Sequence, residues 1–391
     1  MKQNKRPVVA LVTDAIYPYF RGGKEVRYHE LARRLALQAD VHVFTMKWWD
    51  GPAVLQDGLV TFRATSRLHE MYAGERRSYK EAFLFALSCW RLLFFPFDAI
   101  EADQFPTFHI FTLRFVTWVK RKPLTVTWHE VWTHQYWNEY LGAAGNIAWL
   151  VQWLAMRAPD HLIAASPETA ARLREVFGEK PSISVVPNGI DLDVIRDSPP
   201  GDSRVDLVTV GRLLPHKNVD MLLETVALLH ADGLPVTCRV IGEGPQAAAL
   251  HERARELRVD HAVEFRDDIW ERKDLYSHIK AARVAVFPTA REGFGMAVLE
   301  AIACGVPVVT TSAPDNLAQH LVARSLAGTV CGPSAAAMAD AIRPLLAAPL
   351  PSGDQPAANQ EAWLTEHGWD FAAEQVARTL GIDLEGSSIA D

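Results

Sequence analysis

The chain has 391 residues, 49% of them hydrophobic and 22% charged, which is enough for about two ordinary folded domains. No apolar run reaches the ~18 residues of a membrane span, and "MKQNKRP" runs straight into "VVALVT", so neither a spanning helix nor an export leader is expected. Cys89, Cys238, Cys304 and Cys331 lie far apart with no C-x-x-C spacing, which fits reduced thiols in a cytoplasmic setting rather than a disulfide frame or a zinc site.

The net charge of −7 is uneven. Residues 1–195 hold 23 Lys+Arg against 20 Asp+Glu, a balance of +3; residues 196–391 hold 40−23 = 17 against 47−20 = 27, a balance of −10. Nine of the twelve tryptophans precede residue 155, so the first half is the basic and aromatic one.

In chain order, "PVVALVT" (7–13) reads as a buried strand and "EVRYHELARRLALQ" (25–38) as a helix. "VHVFT" (41–45), "FDAIEA" (97–102), "LTVTW" (124–128), "HLIAAS" (161–166) and "SISVVP" (182–187) read as further strands, mostly with helical stretches between them. That is the pattern of a parallel sheet covered on both faces. "DSPPGDSR" (197–204) interrupts it as a linker. "VDLVTVG" (205–211) then restarts the alternation, with "VTCRVIG", "AVEF", "ARVAVFP" and "VPVVT" as strands, a loop at 349–360 and a last helix at 361–380. The expected class is α/β, with two Rossmann-like doubly wound domains facing a central cleft at the carboxyl ends of their strands. The expected boundaries are 1–187, a linker at 188–204, 205–360, and the terminal helix in 361–391.

Two carboxylates bracket the loop "REGFGMAVLEAIACGVPVV" (291–309). Gly293 and Gly295 would let backbone amides approach a ligand, and the helix that begins there would turn its positive end to a phosphate. Glu300 lies about one turn inside that helix, in reach of ligand hydroxyls. Glu292 precedes it and is free to accept from another set. Eight residues on one helix would separate the pair by ~12 Å, beyond the roughly 5–9.5 Å of a glycosidase acid and base. Taken alone, the pair fits a solvated helix residue and a loop residue equally well. It has company, because "GRLLPHKN" (211–218) sets Arg212 and Lys217 at another strand end, where two cations would neutralise a diphosphate. "YFRGGKE" places Gly22 and Gly23 at the opening of a helix, a further anion-friendly turn.

"RGGKE", "VVPNGID", "GRLLPHKN", "IGEGP" and "EGFGMAVLEAIACGVPVV", in that order, resemble the retaining glycosyltransferases of glycosyltransferase family 4, which have the two-domain GT-B architecture. The resemblance runs from Val8 to about Leu380. It implies that Arg212 and Lys217 grip a donor diphosphate and that Glu300 binds the nucleotide ribose. Glu292, with the backbone of Gly293, Phe294, Gly295 and Met296, would hold the donor sugar. Gly22 and Gly23 would meet the phosphates, Gly244 would belong to a donor-side turn, and His129 in "TVTWHE" would stand beside the donor sugar. The segment around Trp369 resembles the one that crosses back to the first domain. The motif at 129–130 reads His-Glu where many relatives have His-Asp.

The implied reaction is sugar transfer with retention from a nucleotide-diphosphate sugar, UDP or GDP being the leading bases, to an acceptor hydroxyl. The acceptor would be a sugar, a lipid-linked sugar or a small molecule, held against "WHEVWTHQYWNEY". No metal, further cofactor or nucleic-acid partner is expected. "RRSYKEAFLFALSCWRLLFFPFD" (76–98) and "LRFVTWVKRK" (113–122) are either helices of the first sheet or a peripheral contact with the inner face of a membrane. Two other readings compete. "GEGPQA" (242–247) is a literal G-x-G-x-x-A after a strand, as in a nicotinamide oxidoreductase, although Pro245 intrudes. The alternative is a catalytically idle GT-B protein that only binds nucleotide. "DLD" (191–193) imitates a metal-binding D-x-D, and "HEVWTH" (129–134) spaces its histidines i, i+5 rather than the i, i+4 of a zinc site.

Overall fold

Val8–Val12, a run of five apolar residues, forms the centre of an eight-stranded sheet. The computed structural model describes residues 6–73, 76–177, 182–348 and 358–382. The chain divides into two units, residues 1–189 with 369–391, and residues 190–368.

In the first unit the strand order is Ser182–Val185, His161–Ala164, Thr125–Trp128, Ala99–Asp103, Val8–Val12, Asp40–Lys47, Val60–Arg67, Val54–Asp57. All neighbours are parallel except the last pair, an antiparallel hairpin. Val8–Val12 is followed in sequence by a strand on one side and later by Ala99–Asp103 on the other. The order therefore reverses between these two strands, and ligand crevices of open α/β sheets form at the carboxyl ends of such strands. The central strands are buried on both faces. Ala10, Val12, Phe44, Met46, Ile100 and Val126 pack with Phe85, Ile110 and Leu113 from the covering helices Tyr79–Ser88 and Phe108–Lys120.

The second unit has a six-stranded, all-parallel sheet in the order Val263–Arg266, Cys238–Ile241, Val205–Val210, Ala282–Phe287, Val308–Thr311, Gly328–Cys331. Its central strands alternate between two cores. Ala285 and Phe287 face one core with Leu299 and Ile302, and Val284 and Val286 face the other with Leu222 and Met338. Here the order reverses between Val205–Val210 and Ala282–Phe287.

Four expectations are corrected. The first sheet has eight strands rather than six, because the hairpin Val54–Asp57/Val60–Arg67 extends it; its outer strand is mostly exposed and its polar residues hide the pattern. Gly328–Cys331 is an added edge strand of only four residues. The 188–204 segment is not an open linker: the unit boundary falls after Gly189, and Leu192–Asp197 is a helix capped by Asp191, whose Oδ1 accepts from the Val194 amide at 3.2 Å. The "DLD" triplet is thus a helix start. The last helix is two, Ala358–Thr365 and Trp369–Thr379, broken at Gly368, and only the second belongs to the first unit.

The Ile190 amide donates to the His367 carbonyl at 2.8 Å, and a Cβ at Gly189 would stand 2.7 Å from buried Trp369. Of the expected loop at 349–360, residues 349–357 lie outside the described residues. Among the described residues no helix is long and apolar enough to cross a membrane.

Candidate functional site

The switch point of the second unit is flanked by the loops that follow Val205–Val210 and Ala282–Phe287. The first carries Arg212, His216 and Lys217, and the second Arg291 and Glu292. They are tied together where the Ala290 amide donates to the His216 carbonyl at 2.9 Å. Lys217 Nζ donates to Glu292 Oε2 in a salt bridge. Burial pushes the Glu292 carboxyl up, but Lys217, then His216 and Arg291, outweigh it and hold the group below the usual carboxylate range. His216 has the opposite problem. Burial first, then Arg291, Lys217 and Arg212, press its pKa down to about 4, so its ring is neutral above that pH. Three permanent cations, Arg212, Lys217 and Arg291, and the Glu292 carboxylate therefore surround the neutral His216 ring.

The third element is the helix Met296–Ala303. Gly295 caps it at φ 95° with no side-chain cap, so no side chain of the cap takes up its first amides. A Cβ there would be strained and would meet Ala318 Cβ at 2.5 Å, so only glycine serves. The Phe294 side chain is core, 6.4 Å from the His367 ring, and leaves its backbone to the loop. Glu300 Oε1 accepts from the hydroxyl of buried Tyr276 at 3.1 Å. Burial lifts the Glu300 carboxyl above its usual range, against the pull of Arg272 and Tyr276.

Gly244 and Gly242 have a different neighbour from the one a dinucleotide turn needs. A Cβ at Gly242 would stand 2.1 Å from the Gly211 carbonyl oxygen, and one at Gly244 2.5 Å from that of Leu213. The Leu213 amide donates to Glu243 O at 2.8 Å, and the Gln246 amide to Leu213 O at 3.1 Å. These glycines serve the seating of one loop backbone on another.

In the first unit the switch point collects buried acids. Asp14 follows Val8–Val12, and Asp103 ends Ala99–Asp103; both are fully buried. Lys24 Nζ reaches Asp14 Oδ1 at 2.5 Å and Glu25 Oε1 at 3.6 Å. The Gly22–Gly23 turn does open the helix Gly23–Leu35, but Glu25 folds back over it: a Cβ at Gly22 would stand 2.4 Å from Glu25 Oε2. The anion-friendly turn is thus occupied by the chain's own carboxylate, whose pKa burial raises against the pull of Lys24.

His129 Nε2 stands 3.4 Å from Asp103 Oδ2. Burial would raise Asp103, but Lys24, His129 and the Phe105 amide hold it below the usual range. Buried Gln104 fixes the turn, its Oε1 accepting from the His129 and Glu130 amides and its Nε2 donating to Glu130 O at 3.1 Å. Glu130 Oε2 accepts from the Trp132 indole at 2.6 Å, which gives this residue an orienting task inside the aromatic cluster of Trp132, Tyr136, Trp137 and Tyr140. Beneath lies Glu101, whose Oε1 accepts from Tyr28 at 2.8 Å and from Thr127.

Residues 21–194 match the family described as Glycosyltransferase Family 4, and residues 193–362 match Glycosyl transferases group 1, so the two together span most of the chain. The chain belongs to the family 4 glycosyltransferases. Among curated members, a glycogen synthase of Mycobacterium tuberculosis is 28% identical over 262 residues, 66% of this chain and 62% of the relative. A D-inositol 3-phosphate glycosyltransferase 2 of Catenulispora acidiphila is 33% identical over 254 residues, 58% of this chain and 57% of the relative. The chain thus matches about three fifths of the length of these relatives. Among solved structures, the sucrose-phosphate synthase of Thermosynechococcus elongatus aligns with TM-score 0.74 at 20% identity, covering 96% of this chain and 98% of that one. Anabaena HepE, solved with UDP and glucose, aligns with TM-score 0.71 at 17% identity, covering 96% and 100%. The fold of this family 4 chain is therefore GT-B.

Of the residues expected from sequence, Arg212, Lys217, Glu292, Gly295, Met296 and Glu300 lie on loops or a helix end beside one switch point. Gly22, Gly23 and His129 lie in the other unit. Sequence reading passed over His216, Arg291, Arg272 and Tyr276 around the carboxylates, and Asp14, Glu25, Asp103 and Gln104 around His129. One signal was available for Asp103: "AIEAD" is a buried strand with carboxylates at i and i+2, an expensive arrangement without partners.

Proposed function

We propose that this family 4 member transfers a sugar, with retention and without a metal ion, from a nucleoside-diphosphate sugar to an acceptor hydroxyl. The observation that carries the reading is the Lys217–Glu292 pair among Arg212, Arg291 and neutral His216, beside the open end of the helix Met296–Ala303. Arg212, Lys217 and Arg291 supply the positive charge that a departing diphosphate requires, which is the task a metal performs elsewhere. The first amides after Gly295 add donors to the same oxygens. Glu292, held ionised, accepts hydrogen bonds from sugar hydroxyls, and Glu300 accepts from the ribose, its carboxylate braced by Tyr276.

His129, fixed by Gln104 and beside Asp103, stands at the sugar in the first unit, and the Gly22–Gly23 turn receives phosphate once Glu25 yields its place. The departing phosphate oxygen takes the acceptor proton on the face it leaves, so retention needs no protein nucleophile. UDP is the first base to test, because HepE was solved with UDP and with UDP-glucose. The acceptor is a sugar, a lipid-linked sugar or a small hydroxyl compound held against the aromatic cluster at Trp132. The nicotinamide alternative loses its support where the Gly211 and Leu213 backbone fills the space beside Gly242 and Gly244.

The test is incubation with a panel of UDP- and GDP-sugars, with and without EDTA, reading released nucleotide and the anomeric configuration of the product by NMR. Turnover with an α-linked donor giving an α-linked product in EDTA is expected. A β-linked product, or loss of turnover in EDTA restored by a divalent ion, contradicts the proposal.

A further inference from the structure

Two helices of the first unit carry apolar residues on the face where a surface helix should be polar. On Tyr79–Ser88 the inward residues are Ala82, Phe85 and Ala86, and the outward stripe is Tyr79, Phe83 and Leu87. On Phe108–Lys120 the inward residues are Ile110, Leu113 and Val116, and the outward stripe is Phe111, Phe115 and Trp118. Each stripe repeats at three to four residues, so each lies along one side of its helix. The helices pack against each other, and the turn that follows the first of them joins the stripes, with the Trp90 ring 4.9 Å from that of Phe115 and Phe115 5.8 Å from Trp118. Phe94, at the end of that turn, is 87% exposed, Trp118 68% and Phe83 58%. Scattered exposed apolar residues need no explanation, but two aromatic stripes on helices packed against each other, with Trp90 against Phe115 between them, mark an interaction surface.

Its rim is basic. Lys80 and Arg91 border the first stripe, and Lys120, Arg121 and Lys122 end the second. Trp118, Arg114, Arg121 and Lys122 line one open depression with Asp160. Arg114 is paired with Asp160 and Lys122 with Asp98, whereas among the described residues Lys120 and Arg121 meet no carboxylate. In a chain of net charge −7, this rim is a local feature.

We propose that this face docks on an anionic lipid bilayer surface, with Phe94, Phe83 and Trp118 entering the interfacial layer and Lys120, Arg121 and Lys122 meeting phosphate headgroups. Trp, Tyr and Phe beside Lys and Arg are the composition of a protein surface at that depth. The alternative occupant, a second copy by two-fold symmetry, would set the same basic rim against itself. The inference concerns the first unit alone and stands whether or not the proposed sugar transfer is right.

The test is sedimentation of the full chain with vesicles of phosphatidylcholine alone, or mixed with phosphatidylglycerol, at low and high salt. Two variants accompany it: Phe83→Ser/Phe94→Ser/Trp118→Ser, and Lys120→Gln/Arg121→Gln/Lys122→Gln. The charge variant alters only exposed or half-exposed side chains, so it keeps the test valid if the aromatic one misfolds. Expected is partition to the anionic vesicles only, weakened by salt. The charge variant should reduce it on the order of a hundredfold, at roughly a factor of five per cation. The tryptophan emission, to which exposed Trp118 contributes, should shift to the blue on binding. Equal partition to both vesicles, no partition at all, or partition unaffected by the charge variant overturns the proposal. So does a dimer in light scattering that the aromatic variant dissolves.

Discussion

Lys217 and Glu292 hold each other, so they should respond to nucleotide in opposite directions. Replacing Lys217 by Met removes one cation from the proposed diphosphate site, and a hydrogen bond between charged groups is worth about 1.5–3 kcal/mol, so the dissociation constant for UDP should rise about 10- to 150-fold. Replacing Glu292 by Gln releases Lys217 from its competitor. The side chains are 24% and 23% exposed, which screens the pair, so its coupling is about 1 kcal/mol rather than the value of a buried bridge. Glu292→Gln should therefore bind UDP about fivefold tighter while losing turnover of the UDP-sugar, because the hydroxyl contacts go with the charge. In the double variant nothing is left to release, so the gain should vanish. Calorimetric titration of the four proteins with UDP reads the whole cycle. If Glu292→Gln weakens UDP as much as Lys217→Met does, or if its gain persists without Lys217, the two residues do not share the diphosphate site and the reasoning is wrong.

Other outcomes follow from the same geometry. His109 is fully buried, and burial depresses its pKa to about 4. Between pH 6.5 and 4 the unfolded chain binds the extra proton, so stability falls with pH in that window, by about 2 kcal/mol at pH 5; urea unfolding should show His109→Leu losing less than the parent between pH 7.5 and pH 5. Gly242→Ala would force a Cβ to 2.1 Å from Gly211 O at φ 139°, and should lower stability by about 3 kcal/mol or more; a variant that melts like the parent would mean the loop seating described here is wrong. The raised Glu300 pKa makes the proposed ribose acceptor sensitive to acid. Nucleotide affinity measured from pH 8 to pH 5 should fall as pH approaches the raised value from above, while Glu300→Gln should be weaker at pH 7.5 and flatter across the range.

The parallel strands were legible because they are apolar, short and separated by helical periodicity, as in "VDLVTV" and "ARVAVF". The hairpin at 54–67 was not read, although "DG" between extended stretches marks its turn, since its outer strand is solvated and shows no core face. Gly328–Cys331 is an edge strand too short to stand out. Gly189 and Gly368 break what looked like a linker and a single helix, and only their neighbours, Trp369 and the 365–367 turn, explain why.

In the site, the residues on strand-end loops were readable because Gly, Arg, Lys and Glu cluster there in sequence. Their partners were not, because each comes from a distant segment: Tyr276 for Glu300, Gln104 for His129, Arg291 for His216. Glu25 sits three residues from Gly22, so its return over the turn is a local effect that helix-start chemistry could have foretold.

The most direct test of the central claim is calorimetric titration with UDP, GDP, ADP and NAD in EDTA, of the parent, Glu300→Ala and Lys217→Ala. The account predicts binding of one nucleoside diphosphate, weakened by both substitutions. Binding of NAD alone, indifferent to both, would contradict it.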